Sequence, residues 1–358
     1  MSKAEIHTGA QTYDLVETIR GNRRTGIPTL VFGPPGVGKS QQVHQAADGD
    51  PVIDVRLSML DPVDLRGLPM VKDGSVAWAR PDFLPDAGKG ILLFDELNTA
   101  PVAVQNAALQ LILDRRCGPH RLGDGWYIVA CGNRATHKAH VNPLSAPLRN
   151  RFAILDYQPS VQRWTRWALD HGIHPHVTAF LNFSPDHLTS DPADEYSNFA
   201  SPRSWERVSS CLLANMADVE TLTSLVGRGS AVAFDAYRAE ISVMPDIDHL
   251  LSGRIDWKPD PAKLSVTYAI AMALAGRLLK PESKQASPEV IDRATVIAAT
   301  MPPEVTCLFF IACYHGPAHL REAVLLSEGL RTFAEEHSGL IQRFGGTFDS
   351  LGKPRKRR

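Results

Sequence analysis

The sequence predicts an α/β protein: a parallel β-sheet covered by helices on both faces, followed by a mostly helical remainder. Three observations predict it. Between residues 27 and 156, short apolar β-prone runs alternate with helical stretches, the pattern of a parallel sheet buried on both faces. A glycine-rich octapeptide, GPPGVGKS (33–40), stands between the first such run and the first helical stretch. After residue 158 the strand signal fades and helical periodicity takes over.

In chain order, the predicted strands are 28–32, 52–57, 90–94, 126–131 and 153–156. Between them, 39–47 and 102–116 read as helices, the second with Leu109, Ile112 and Leu113 at helical spacing. Two segments read as β-hairpins inserted into this unit. MVKDGSVAW (70–78) places Asp73 and Gly74 between β-prone runs, and an Asp-Gly pair accepts the positive φ angles of a tight hairpin turn. The segment 116–126 carries Gly118, Pro119, Gly123 and Gly125, a weaker signal that an ordinary loop would also give. Helices are predicted over 161–171, 175–183, 202–215, 219–240 and 262–279, with a last group beyond 288. Trp164, Trp167 and Phe180 lie at spacings suited to helical packing and read as core. There is no internal repeat and no low-complexity tract.

A chain of 358 residues exceeds a typical single domain, so two packed units are expected. Acidic and basic side chains nearly cancel, 39 against 38, which leaves no overall field to draw the chain to nucleic acid or an anionic membrane. The basic end, Lys353 to Arg358, is the local exception and reads as a solvated terminus. Five scattered cysteines without CxxC spacing argue against a disulfide framework or a zinc site. The start is polar rather than signal-like, and no run of about eighteen apolar residues offers a membrane span. A reducing cytoplasm, with no membrane insertion, is the expected setting. His171, His174 and His176 at a helix break, and His137 and His140 in a loop, lack the spacing that would complete a metal site.

The octapeptide fits GxxxxGK[ST], and strand before with helix after is the context its chemistry requires. Glycines let main-chain amides curl around phosphates, and the helix N-terminus adds a favourable dipole. Lys39 is then the group that reaches the β and γ phosphates, and the Ser40 hydroxyl is the candidate magnesium ligand. A partner motif follows in ILLFDE (91–96), an apolar strand ending in two carboxylates. Asp95 is the candidate for the Mg²⁺ shell, mostly through water, and Glu96 the candidate base that polarises an attacking water.

With both motifs in order, the chain resembles the AAA+ ATPases, and within them the MoxR-type group related to dynein-like and magnesium-chelatase-like modules. The likeness spans roughly residues 27–213 and rests on several motifs in sequence. CGNRA places Asn133 at the end of the fourth strand, where the family keeps a polar "sensor 1" residue. PLSAPLRNRF resembles the segment before strand five whose arginine acts across a subunit boundary, which makes Arg151 the first choice of arginine finger and Arg149 its competitor. SPRSWERVS resembles the start of the lid helix, making Arg203 sensor 2. A planar guanidinium fork suits both roles.

The resemblance implies a three-layer αβα sandwich with a five-stranded parallel sheet in the order 5-1-4-3-2, β-hairpin insertions, an all-α lid and a helical C-terminal region. The implied division is 1–158 for the nucleotide-binding core, 159–258 for the lid and 259–358 for a helical extension. The nucleotide-contacting run is Gly33, Pro34, Pro35, Gly36, Val37, Gly38, Lys39, Ser40 and Gln41. Implied cofactors are ATP and Mg²⁺; the implied assembly is a homo-oligomer, a hexameric ring. In the family, hairpins at these two places face the ring's upper surface or pore, so Lys72, Asp73 and Trp78 are partner contacts or else simple turn and core residues. MoxR-type proteins pair with a von Willebrand A domain protein and act on protein clients, which makes a chaperone-like role the first expectation. A DNA motor or restriction-system component is the second, disfavoured by the near-neutral charge. A nucleotide-gated scaffold is the third. No NKxD motif supports a GTPase.

Overall fold

The computed structural model describes residues 14–134, 141–194, 196–279 and 287–337. Contacts divide the chain into two compact units, Met1–Pro159 with Ser201–Arg203, and Ser160–Ala200 with Ser204–Arg358. His137, His140 and the basic end lie outside the described residues.

The first unit is built on five parallel strands: β1 (Thr29–Phe32), β2 (Val52–Arg56), β5 (Lys89–Asp95), β8 (Gly125–Gly132) and β9 (Ala153–Asp156). Their order across the sheet is β2-β5-β8-β1-β9, the order expected of the αβα sandwich. Because side chains alternate faces along a strand, one central strand can feed two cores. Leu30, Phe32, Leu92, Phe94, Ile128 and Ala130 enter one cluster, with Leu65 of α3 (Pro62–Arg66) and Val104, Ala108 and Leu111 of α4 (Val102–Asp114). The alternate residues Val31, Ile91, Leu93, Tyr127, Val129 and Cys131 enter the other, with Leu15 and Ile19 of α1 (Leu15–Thr25) and Val43 and Ala46 of α2 (Lys39–Ala47). The near-continuous apolar runs in the sequence are therefore two interleaved faces, both buried.

Helix α1 was not expected from the sequence. Asp14 caps it, accepting from the N–H of Val16 at 2.9 Å and of Glu17 at 3.2 Å, and Gly26 closes it in the left-handed conformation at φ 72°. Both hairpins form. β3 (Pro69–Lys72) pairs antiparallel with β4 (Ser75–Trp78) around Asp73 and Gly74, whose φ values of 51° and 74° give the turn the Asp-Gly pair predicts. β6 (Arg116–Cys117) pairs with β7 (His120–Arg121), which settles the weaker signal in favour of a hairpin. It also shortens the helix expected over 102–116: α4 stops at Asp114, and Arg115 turns the chain at φ 54°. The strand expected over 52–57 likewise ends at Arg56, where Leu57–Met59 forms a single 3-10 turn.

The second unit is helical among its described residues: α6 (Val161–Asp170), α7 (Pro175–Phe183), most of α8 (Pro202–Leu213), α9 (Val219–Val226), α10 (Arg228–Ile241), α11 (Ile247–Leu251), α12 (Leu264–Leu279), α13 (Pro288–Ala299), α14 (Pro303–Tyr314), α15 (Ala318–Leu326) and α16 (Glu328–Glu336). The helix expected over 219–240 is two, interrupted at Gly227, whose φ of 76° takes the chain out of the helix. Phe180 lies 5.5 Å from Trp205 and 5.2 Å from Phe234, ring to ring, at the centre of this core. Trp164 is buried in the same core and Trp167 packs against it. His174 caps α7 by accepting from the N–H of His176, and His171 stacks on Trp167 at 4.3 Å. No helix among the described residues is long and apolar enough to cross a membrane.

Candidate functional site

The site forms where the C-terminal ends of β1, β5 and β8 meet, the edge at which an open parallel sheet leaves its loops free to bind. β1 runs from Phe32 into the loop Gly33–Gly38, which turns through Gly36 at φ 75° and Gly38 at φ 90°, and then into α2. These are left-handed conformations that glycine adopts without Cβ strain. The N-terminal amides of a helix lack intrahelical acceptors, and no side chain caps α2. The loop thus presents main-chain donors at the positive end of a helix dipole, an arrangement suited to phosphate. Val37 is buried beneath the loop and the Gln41 side chain, in the first turn of α2, is exposed.

Lys39 is buried, and the three protons of its ammonium are matched by three oxygens: Gly33 O at 2.9 Å, Pro34 O at 2.8 Å and Asn133 Oδ1 at 2.9 Å. Burial pushes its pKa below the ordinary lysine value, while the carboxylate of Asp95 opposes that shift. Ser40 Oγ donates to Asp95 Oδ2 at 2.7 Å, and Asp95 Oδ1 accepts from the N–H of Glu96 at 2.9 Å. Glu96 stands at φ 56°, a left-handed conformation uncommon for a side chain of its size and of a kind that concentrates at functional sites. Its Oε2 accepts a hydrogen bond from Ser58 Oγ.

Asn133 follows β8 and is held by Asn98, which lies just beyond Glu96. Next to it, Arg134 Nε donates to Asp156 Oδ1 at 2.5 Å, its Nη2 donates to Oδ2, and its guanidinium lies 5.0 Å above the Phe32 ring. This ties β8 to β9 across β1. Arg203 clusters with the first unit: its N–H donates to Gly36 O at 3.2 Å, its guanidinium is exposed, and its charge also depresses the pKa of Lys39. Arg149, at the end of α5 (Ala146–Arg149), and Arg151 are both exposed, and among the described residues neither forms an ion pair or a hydrogen bond to this cluster.

The sequence reading therefore placed the cradle, Asp95, Glu96 and Asn133 in one cluster, and they are one cluster. It missed Ser58 and Asn98. Ser58 lies just past the end of β2, and nothing in the string LSML announces its reach to Glu96 across the sheet. Asn98 has a faint signal, a polar residue in the turn that follows the acid pair, but its burial is visible only in three dimensions.

The chemistry of the donors fits magnesium. A hydroxyl and a carboxylate 2.7 Å apart are hard oxygen ligands, the small protein contribution Mg²⁺ takes when water and phosphate complete its shell. Among the described residues no group of three or more His, Cys, Asp or Glu side chains could hold a metal ion unaided.

Strand order and cradle together define a P-loop αβα fold with a helical C-terminal region. No protein-family model matches the chain, and no curated protein does. Among solved structures it is similar to a RuvB point mutant of Thermotoga maritima, at 14% identity over 74% of this chain and 82% of that one, with a TM-score of 0.39. It is also similar to NtrX from Brucella abortus in complex with ADP, at 16% identity over 94% and 67% of the two chains, with a TM-score of 0.35. The strand order and register of the chain itself define the fold.

Proposed function

We propose that the chain is an ATP hydrolase of the AAA+ type, cleaving ATP to ADP and phosphate with Mg²⁺. The observation that carries this reading is that, at one end of the sheet, Lys39 bonds Asn133 while the adjoining Ser40 bonds Asp95, which in turn accepts from the N–H of Glu96. Roles follow from chemistry. The loop amides and Lys39 hold the phosphates; Ser40 and Asp95 hold the metal, which supplies charge neutralisation at the transferring phosphoryl group. Glu96 orients and polarises water, and Asn133 fixes the geometry beside it. Arg203, next to Gly36, couples phosphate state to the helix that it begins.

The finer reading is a MoxR-type ATPase working as a hexameric ring, with Arg151 or Arg149 completing a neighbour's site. Its partner would be a von Willebrand A domain protein and its substrate a protein client remodelled in a chaperone-like way, in the cytoplasm. In this scheme the core is 1–158, the lid 159–258 and the extension 259–358. A DNA motor is the second reading, and the balance of 39 acidic against 38 basic residues disfavours it.

The test is nucleotide binding and turnover by the purified chain. Lys39→Ala is expected to lose ATP binding by at least about a hundredfold, because it removes a buried charge-assisted contact to phosphate. Glu96→Gln is expected to bind MgATP like the parent and to turn over at least about a hundredfold more slowly, the size of a general-base contribution. A parent chain that neither binds nor hydrolyses MgATP refutes the reading. ATPase activity stimulated by DNA, rather than by a protein partner, would select the second reading.

A further inference from the structure

The Asn98 side chain is buried, and both ends of its amide are spent on one backbone. Nδ2 donates to the carbonyl of Asn133 at 2.6 Å, and Oδ1 accepts from the N–H of Asn133 at 3.0 Å. A primary amide presents a donor and an acceptor side by side, so it imitates one peptide unit of a neighbouring strand. Here it pairs with Asn133 just where the β8 ladder ends. Contact is tight: a Cβ on Gly132 would lie 2.7 Å from Asn98 Oδ1. The Asn98 backbone is anchored in turn, since its carbonyl accepts from the N–H of Asn142 at 2.7 Å, while Asn142 Nδ2 donates to Ala100 O at 2.9 Å.

The two asparagines thus form a relay. The turn that carries Glu96 also carries Asn98; Asn98 fixes the backbone of Asn133; and the Asn133 side chain reaches Lys39 Nζ at 2.9 Å. No other side chain of similar size can substitute. Aspartate lacks the donor and would set a carboxylate oxygen against the Asn133 carbonyl, and leucine would leave two buried backbone groups unpaired.

We propose that Asn98 is a positioning residue for ATP hydrolysis, acting only through Asn133: it holds that side chain in register with Lys39 and Glu96 during turnover. The inference rests on the ATP-hydrolase reading above and goes beyond it by assigning a residue whose side chain bonds the backbone of Asn133. It predicts a particular kinetic pattern. Asn133 acts on the chemical step, so loosening it should lower kcat and leave nucleotide binding, which the loop amides and Lys39 supply, nearly intact.

The experiment compares full-length parent, Asn98→Ala, Asn98→Asp, Asn133→Ala and the double variant Asn98→Ala/Asn133→Ala, measuring kcat, KM, MgATP affinity and thermal midpoint on each. The parent rate is taken first; a parent that hydrolyses nothing overturns the underlying reading and this inference with it. With an active parent, Asn98→Ala and Asn98→Asp should each lower kcat by about tenfold or more, with affinity held within about twofold, as expected for losing one or two buried hydrogen bonds that matter only in the transition state. The double variant should be no slower than Asn133→Ala alone, because residues acting in series are not additive. A parent-like kcat in either Asn98 variant refutes the inference while leaving the ATPase reading in place. So does a double variant slowed by the product of the two single effects, a loss of affinity that matches the loss of kcat, or failure of both Asn98 variants to fold, which would make the side chain purely structural.

Discussion

Glu96 is restrained in two ways that bear on its proposed use as a base. Its backbone sits at φ 56°, and its Oε2 is engaged by the hydroxyl of Ser58. A carboxylate held by a neighbouring element is less free to turn toward water. Ser58→Ala removes the bond without crowding the site. If the bond restrains Glu96, basal ATP turnover should rise, by up to about tenfold for the loss of roughly 1.4 kcal/mol of hydrogen bonding to a charged group. If Ser58 instead aims Glu96 at the water, turnover should fall by a similar factor. A steady-state rate within twofold of the parent would show that the contact has no influence on the chemistry. At Lys39 the physical balance is different. Burial depresses its pKa and Asp95 opposes that shift, while three oxygens accept the three protons of its ammonium.

At the scale of elements, β8 both leads into Asn133 and contributes to stability. Tyr127 donates from its hydroxyl to Ile27 O at 2.7 Å and contacts Thr29 Oγ1 at 2.7 Å, and burial pushes its pKa up to about 12 from an ordinary value of 10.0. A group whose pKa is raised by folding contributes stability that is complete below its unfolded value and is lost as pH rises through the folded one. The first unit should therefore lose on the order of 2 kcal/mol between about pH 10 and pH 12 through this phenol. Urea unfolding at pH 9 and pH 11.5 should show the loss in the parent and a smaller loss in Tyr127→Phe; equal losses would assign it to other groups. The same strand marks what the sequence discloses. Its apolar run, like that of β5, is legible because a central parallel strand must be apolar on both faces, and the cradle is legible because glycine and lysine spacing follow from phosphate geometry. The Asp73–Gly74 turn is legible for its backbone alone. What stayed hidden depends on contacts distant in sequence: Asn98 with Asn133, Ser58 with Glu96, and α1, whose Leu15 and Ile19 become a buried face only once β1 and α2 exist to cover them. The break at Gly227 was missed because a glycine inside a helical pattern can be tolerated, as Gly229 is within α10.

For the molecule as a whole, the proposed reaction turns on whether one chain holds every group it needs. The proposed phosphate-binding, metal-binding and water-polarising groups all lie within the first unit, while Arg149 and Arg151 are exposed and make no ion pair among the described residues. A guanidinium that is exposed and makes no ion pair among the described residues can reach another chain, and one delivered to developing charge on a transferring phosphoryl group is worth several orders of magnitude in rate. If either arginine serves a neighbouring copy, specific activity must rise with protein concentration, because the competent site exists only in the assembly. In the parent, turnover per chain should climb over the range in which light scattering reports association and then level off. Arg151→Ala should depress the plateau by at least about a hundredfold while leaving MgATP affinity near that of the parent; Arg149→Ala should do so only if it holds the role instead. Mixing inactive Arg151→Ala with inactive Glu96→Gln gives the sharpest reading. Sites in which a Glu96-intact chain meets an Arg151-intact neighbour regain both groups, so activity should reappear in the mixture. A mixture as silent as its components, alongside a parent whose activity per chain is independent of concentration, would place the whole reaction within a single chain and leave the exposed arginines without a part in it.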